Sequence, residues 1–415
     1  MQILKLTKKY EIHSEYKDSG IEWLGKIPKI WNASKIVSVF DFPNQKVTEA
    51  DYEPLSVTYE GIKKQIEHAA KVAEGSLRKL VKVGDIAING RSDRKGAVGI
   101  SEYEGGVSLV YNVLRKRNKA FDSKYFHYLF RSRLFSEEFY RWGRGIVDDL
   151  WTTRESEMKR IIVTVPTPDD QSKIAKYLDD KTTLIDQIIE KKLRLIELLR
   201  EKRTAFINHK IINHSGELGK LKNYLQLNPS KRTASVVSSD EMVSFVPMEA
   251  ISELGELQLQ ERKLKDVSSG FTFFKNGDVV LAKITPCYEN GKAGIMKGLK
   301  NGFGFGTTEF MVLRPSKKII ADYLYYIVFS DKFRKLGEVE MRGTAGQKRV
   351  TSSFVMNYEL SIPDIKIQEK TVNELNKKMN MFNQTIEKVE NSILYLKEFK
   401  SSLISNAVTG KIKIN

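Results

Sequence analysis

The sequence predicts an α+β molecule with a pseudo-twofold internal repeat: two α/β domains separated by two long antiparallel helices that form a coiled coil. Three observations carry this expectation. A lysine- and leucine-rich block occurs twice, opening at Val165-Pro166 with Gln171 and again at Ile362-Pro363 with Gln368. Within each block apolar residues recur every three or four positions, the period of a helix–helix seam. The segments ahead of the blocks share a looser order of motifs, so the whole chain reads as one unit used twice. Its 415 residues are too many for one ordinary core. The predicted division is a first α/β domain at 1–165, a central helical spacer at 166–213, a second α/β domain at 214–362 and a C-terminal helical spacer at 363–415.

Taken in order, residues 1–165 contain LVKVGDIAING at 80–90, an apolar run broken by Gly-Asp that reads as turn then strand. A glycine-rich hairpin region, an aromatic helix at 124–132 and an arginine/glycine stretch at 141–151 follow, and a strand-like run closes the domain. The central block places its seam at Leu178, Ile185, Ile189, Ile196, Leu199 and Phe206, interrupted at Thr182, Lys192 and Arg203. Pro166 and Pro168 suit a helix start, and Asp169 and Asp170 suit the positive end of its dipole. The second domain repeats the order: FFKNGDVVLAK at 273–283, a glycine-rich region, an aromatic helix at 322–330 and MRGTAGQKRVT at 341–351. The last block carries the cleaner seam: Leu375, Phe382, Ile386, Val389, Ile393, Leu396 and Leu403. Shifted by about 197 positions, the two blocks coincide, and equivalent seams in one chain can satisfy each other.

Composition narrows the partners. The formal net charge is +17, which favours a polyanion, nucleic acid ahead of an acidic membrane surface. Cys287 is the single cysteine, so no disulfide framework or zinc ribbon is available. No run of 18 apolar residues occurs and the first residues lack a signal-peptide core, so a cytoplasmic location is expected.

Catalytic readings find little support. Asn228-Pro229-Ser230 lacks the second proline and the aromatic residue of an aminomethyltransferase loop. Pro168-Asp169 with Asp179-Asp180-Lys181 imitates a nuclease motif, but one helix would hold Asp169 and Asp179 about 15 Å apart, too far for one ion. The five histidines are scattered. A stand-alone methyltransferase or nuclease is therefore disfavoured; a coiled-coil scaffold that binds DNA without sequence preference is the other alternative.

Over nearly its whole length the chain resembles the specificity subunit of a type I restriction–modification system. The resemblance rests on YKDSGIEWLGKIPKIW at 16–31, on the helical regions at 166–207 and 368–412, on the closing Thr409-Gly410-Lys411-Ile412, and on the order domain, helix, domain, helix. It departs where the first seam is interrupted, and where GKLKNYLQLNPSK at 219–231 keeps only the Gly-Lys and a following apolar run of the opening motif. The resemblance implies two target-recognition domains, each reading half of a bipartite site in double-stranded DNA. It implies helices that set the gap and dock methyltransferase subunits, two in number, with restriction/translocase subunits joining them. It further implies a non-catalytic chain without a cofactor of its own, S-adenosylmethionine, ATP and Mg falling to the partner subunits.

Base reading needs Arg, Asn, Gln or hydroxyl side chains at base edges, and phosphate binding needs cations. The polar loops offer Arg91, Ser92, Arg94, Lys95, Arg141 and Arg144 in the first domain. In the second they offer Lys283, Thr285, Tyr288, Asn290, Lys292, Arg342, Gln347, Lys348 and Arg349.

Overall fold

Both repeated blocks fold as uninterrupted helices, Pro168–Ile212 of 45 residues and Ile365–Val408 of 44. The computed structural model describes residues 10–65, 77–91, 94–145, 151–212, 214, 218–230, 238–252, 255–344 and 346–415, so the candidate Ser92 lies outside the described residues. Pro168 takes the first helical position, where a missing N–H costs nothing. The second helix is capped by Asp364, whose Oδ1 accepts from the Ile367 amide at 2.9 Å.

The seam keeps a strict seven-residue period. In the first helix Gln171, Ala175, Leu178, Thr182, Ile185, Ile189, Lys192, Ile196, Leu199, Arg203 and Phe206 are all buried or half-buried. In the second, Gln368, Val372, Leu375, Met379, Phe382, Ile386, Val389, Ile393, Leu396, Lys400 and Leu403 are likewise. The polar residues that interrupt the first seam therefore occupy it.

The chain divides into two compact units, Met1–Lys192 with Asn391–Asn415, and Leu193–Glu390. Each unit owns one half of each long helix, and within each unit the halves run antiparallel. In the first, the carbonyl of Val408 accepts from the Thr164 hydroxyl just ahead of the first helix, at 2.9 Å. Further along that helix, the Asp186 carboxylate takes both its bonds, 2.7 and 2.6 Å, from the Lys400 ammonium. In the second, Arg200, Arg203 and Lys210 meet Glu390, Asn383 and Glu374 in turn, at 3.4, 3.2 and 2.5 Å.

The half-helices belong to the domain cores. Leu178, Ile185, Leu396 and Leu403 share one apolar cluster with Trp31, Phe126, Phe130 and Val163. Ile207, Ile211, Val372 and Leu375 share another with Leu281, Leu324, Phe333 and Val355. Burying one such side chain contributes about 1.5–3 kcal/mol, whereas an exposed helix–helix ion pair contributes about 0.2–1 kcal/mol. Packing therefore decides the pairing, and the charges adjust it.

Each unit contains the same four-stranded antiparallel sheet. In the first the order is Val98–Ile100, Ile86–Ile88, Asn112–Lys116 and Phe40–Asp41; in the second it is Ala293–Ile295, Val279–Ala282, Phe310–Pro315 and Leu225–Leu227. The strand after each Gly-Asp, Ile86–Ile88 or Val279–Ala282, is buried at every residue, which explains its unbroken apolar run. The aromatic helices form at Ser123–Arg131 and Ala321–Phe329, each followed by a second nine-residue helix. The strands ahead of the prolines, Ile162–Val165 and Glu359–Ser361, pair with Asn32–Lys35 and Leu218–Lys220. A second four-stranded sheet in the second unit includes one parallel pair, Met242–Val246 with Phe303–Gly306.

Buried polar groups are satisfied in the same way twice. Gln171 donates to the Pro166 carbonyl at 2.9 Å and accepts from the Asp122 amide at 2.8 Å. Gln368 donates to the Pro363 carbonyl at 2.8 Å and accepts from the Ile320 amide at 3.0 Å. Each ties a domain helix to a long-helix start. The aspartates of the two Gly-Asp pairs, Asp85 and Asp278, are buried and bind Arg115 and Arg314 in forked pairs, 2.8 and 2.7 Å for the first and 2.7 and 2.7 Å for the second. Ser132 and Ser330 cap the second helix of each pair and donate to the last turn of the first.

In the first unit the opening motif and the closing Thr-Gly-Lys meet. The Tyr16 hydroxyl donates to the Gly410 carbonyl at 3.1 Å, and the Lys411 ammonium to the Leu24 and Lys26 carbonyls at 3.1 and 2.9 Å. Gly410 has φ +71° with Pro28 and Trp31 against it, so a side chain there would be both strained and crowded.

Removing one partner of a buried ion pair leaves the other charge uncompensated, at about 3–5 kcal/mol. Arg314 is 21% exposed, which permits partial hydration, so Asp278→Ala is expected to cost toward the lower end of that range in urea unfolding of the full chain. A second expectation concerns pH. Burial, reinforced by the Arg131 charge, lowers the His127 pKa from 6.5 to about 4. Between these values the unfolded chain takes a proton that the folded one refuses, so this contribution is complete above about pH 6.5 and is lost as pH falls toward 4. His127→Gln should flatten that part of the stability–pH curve relative to the parent; parallel curves would exclude the role.

Candidate nucleic-acid interface

In both units the loop that leaves the buried strand is stitched to the arginine/glycine stretch. In the first, Arg144 and Thr152 exchange two backbone hydrogen bonds of 3.1 Å, Arg91 bridges to Thr152, and the Thr153 amide donates to the Gly90 carbonyl at 3.0 Å. In the second, Arg342 and Arg349 exchange bonds of 3.0 and 2.8 Å, Ile284 bridges to Arg349, and the Val350 amide donates to the Lys283 carbonyl at 2.8 Å. Each is a three-segment ladder, and it brings together candidates that are about 50–65 positions apart in sequence.

Below the first ladder the side chains are buried and hydrogen-bonded. Thr153 donates to the Phe139 carbonyl at 2.7 Å and its own carbonyl accepts from Asn112 at 3.0 Å. The Tyr140 hydroxyl donates to the carbonyls of Asn89 at 3.1 Å and Arg94 at 3.3 Å. The Trp151 indole donates to the Tyr140 carbonyl at 2.9 Å, and its ring occupies space that any side chain at Gly143 would need. Above this base Arg91, Arg94, Lys95 and Arg144 are exposed. Lys95 lies over the Tyr140 ring at 5.7 Å, and Arg144 is 3.7 Å from Glu157. Arg141 stands apart, at the end of its helix, bound to Glu138 at 2.8 Å and Glu22 at 3.1 Å.

In the second ladder Arg342, Gln347 and Lys348 are exposed, and Lys283 and Thr285 half-buried. The Thr285 amide donates to the Lys348 carbonyl at 3.0 Å and its hydroxyl accepts from the Lys348 amide at 3.1 Å, so the two edges are locked. The Arg349 guanidinium forks onto Glu309 at 2.9 and 2.8 Å, which holds that carboxyl below its ordinary range. Three candidates fall elsewhere. Tyr288 is fully buried, its hydroxyl bonded to the Phe333 carbonyl at 3.2 Å and accommodated by Gly337, so it offers no surface. Lys292 donates to the Met248 carbonyl at 3.2 Å. Asn290 lines a cleft beside the long-helix halves of its unit.

Thr152 and Thr153 are members of the site that sequence reasoning does not reach. A Thr-Thr pair beyond a tryptophan has no distinguishing pattern; only its pairing with Gly90 and Arg144 reveals it. Among the described residues no group of three His, Cys, Asp or Glu could hold a metal ion, and no helix is long and apolar enough to cross a membrane.

Residues 238–395 match the family model described as type I restriction modification DNA specificity domain. The chain is 35% identical over 229 residues to the type I restriction enzyme EcoAI specificity subunit of Escherichia coli, and 34% identical over 229 residues to the EcoEI specificity subunit of the same organism. These matches take in 54% of this chain but only 38% and 37% of the relatives, so the match spans well under half of their length. Among solved structures, a chain from a type I restriction–modification system aligns over 92% of this chain and 98% of its own, with a TM-score of 0.72 at 11% identity. The HsdS subunit from Thermoanaerobacter tengcongensis aligns over 93% and 98%, with a TM-score of 0.56 at 13% identity. At such identities the likeness is one of fold, and it agrees with two domains and two long helices. The resemblance to type I specificity subunits is borne out.

Proposed function

We propose that this chain is the DNA-reading specificity subunit of a type I restriction–modification complex and has no catalytic activity of its own. The observation that carries the reading is the duplicated ladder. One framework appears twice, stitched by the same backbone bonds, while the side chains it displays differ: Arg91, Arg94 and Arg144 in one unit, Lys283, Arg342 and Lys348 in the other. Two related readers with different side chains suit a bipartite, asymmetric site. The specificity-domain match at 238–395 and the excess of 17 positive charges support it.

On this reading residues 1–165 and 214–362 are the two recognition domains, and the helical spacers at 166–213 and 363–415 set the gap between half-sites. The spacers also dock methyltransferase subunits, one for each copy of the repeat, and restriction/translocase subunits complete the complex. S-adenosylmethionine, ATP and Mg act on those partners. Exposed Lys95 and Lys348 suit phosphates, which give affinity that falls with salt, and exposed Arg94, Arg342 and Gln347 suit base edges.

Co-expression with the cognate methyltransferase subunit, followed by genome-wide mapping of methylated bases, tests the whole reading. A two-part motif with a fixed gap is expected; a continuous motif, or none, sinks it. At the residue level, Arg94→Ala is expected to weaken binding by about 1–3 kcal/mol or to relax one position of the first half-site, leaving the second intact. Lys348→Ala should weaken all duplexes alike and reduce the salt slope of binding by about 1. Gel-shift titrations at several salt concentrations separate the two effects.

A further inference from the structure

The internal repeat exposes one place where the two units differ in charge. Arg203 and Lys400 are equivalent seam positions, and so are Asp186 and Asn383, since 400 − 203 and 383 − 186 both equal 197. In the first unit the seam cation meets a carboxylate, Lys400 with Asp186. In the second an amide replaces that carboxylate, and Arg203 donates to Asn383 at 3.2 Å. The Arg203 guanidinium therefore has no counter-ion from the position that supplies one in the other copy.

Its surroundings sharpen the imbalance. Burial pushes the Arg203 pKa down, and the neighbouring charges of Arg200 and Arg334 push the same way. The Nε of Arg203 and the Nε of Arg334 are both buried without a hydrogen-bond partner. Arg334 is held in place by the Phe329 ring, 5.6 Å away, and by a 3.3 Å bond to the Glu289 carbonyl. Arg200, Arg203 and Arg334 converge on a cleft of about 540 Å³. Two guanidiniums with orphaned buried donors, Arg203 and Arg334, with Arg200 beside them and held together against their mutual repulsion, form a receptor for an oxyanion with several acceptor oxygens.

We propose that this cleft binds a compact oxyanion, the phosphate group of a small molecule. The cleft also carries Glu256, Glu387 and Glu390, the last paired with Arg200 at 3.4 Å. These carboxylates tolerate one isolated anion between the arginines but repel the closely spaced phosphates of a nucleic-acid strand. The volume is larger than inorganic phosphate needs and falls in the range of small-ligand sites, so a free phosphate and a nucleotide phosphate share the chemistry.

The test is thermal unfolding of the full chain in inorganic phosphate against chloride of matched ionic strength, with AMP as a second arm. At about 10 mM phosphate the midpoint should rise by about 2–4 °C. A gain at lower AMP concentration identifies a nucleotide source, and a gain with phosphate alone identifies the free ion; both support the site. Asn383→Asp supplies the carboxylate that the other copy has. It should raise the midpoint in chloride and abolish the response to phosphate, and Arg334→Gln should abolish the response as well. No gain in the parent chain, or an undiminished gain in Asn383→Asp, overturns the proposal. Loss of the phosphate gain on adding a random DNA duplex overturns the assignment to a small molecule.

Discussion

The rest of the structure depends on one constraint: the apolar seam of each long helix is also part of a domain core. Leu178 and Leu403 pack with Trp31 and Phe126, and Ile207 and Leu375 pack with Phe333 and Leu324. A free coiled coil would need only its own seam. Here each half-helix pair closes the open side of a domain, and the domain supplies apolar surface that the seam alone lacks. This accounts for polar residues within the seam. Thr182 is buried where Tyr128 reaches it at 3.2 Å, and Lys400 remains half-buried beside Asp186. The seam tolerates these residues because domain side chains contribute apolar burial around them.

What repeats most faithfully is not the apolar surface but the handling of buried polar groups. Hydrophobic positions accept substitutes of similar volume at modest cost. A buried amide or carboxylate does not, because an unmatched partner costs the full desolvation of a polar group. Gln171 and Gln368 make the same two bonds, and Asp85 and Asp278 make the same forked ion pair and accept from the backbone three residues earlier. Those residues define the framework on which the loops are free to differ.

Much of this was legible in the sequence, for reasons that differ by feature. The heptad period and the Gly-Asp strands are local patterns, and they appear as long helices and fully buried strands. The ladders were half legible: the arginine/glycine stretches drew attention through composition, but their pairing with Gly90 and Lys283 is long-range. Tyr288 misled because a tyrosine in a polar loop resembles a contact residue, and only Gly337, more than forty positions later, makes room to bury it. Arg203 read as a defect in the seam. Its meaning depends on Arg334 and on the equivalent position of the other copy, neither of which is adjacent in sequence.

Under the proposed function, the division between framework and display would let the chain change what it reads without changing how it folds. Above the first ladder, Arg91, Arg94 and Arg144 project from a backbone already fixed by Thr152, Thr153, Tyr140 and Asn112. The backbone bonds of the ladder do not involve these side chains, so replacing one leaves the framework stitched, although Arg144 also stands 3.7 Å from the carboxylate of the buried Glu157. The second ladder is less permissive at one point. Arg349 belongs half to the display and half to the framework, since Glu309 holds its guanidinium and the Glu309 backbone carbonyl anchors Lys283. Change at Arg349 therefore shifts the ladder edge as well as the surface, whereas Arg342, Gln347 and Lys348 alter the surface alone. Under the proposed function, variation in the second half-site should concentrate at those three positions, with Arg349 and Glu309 changing together.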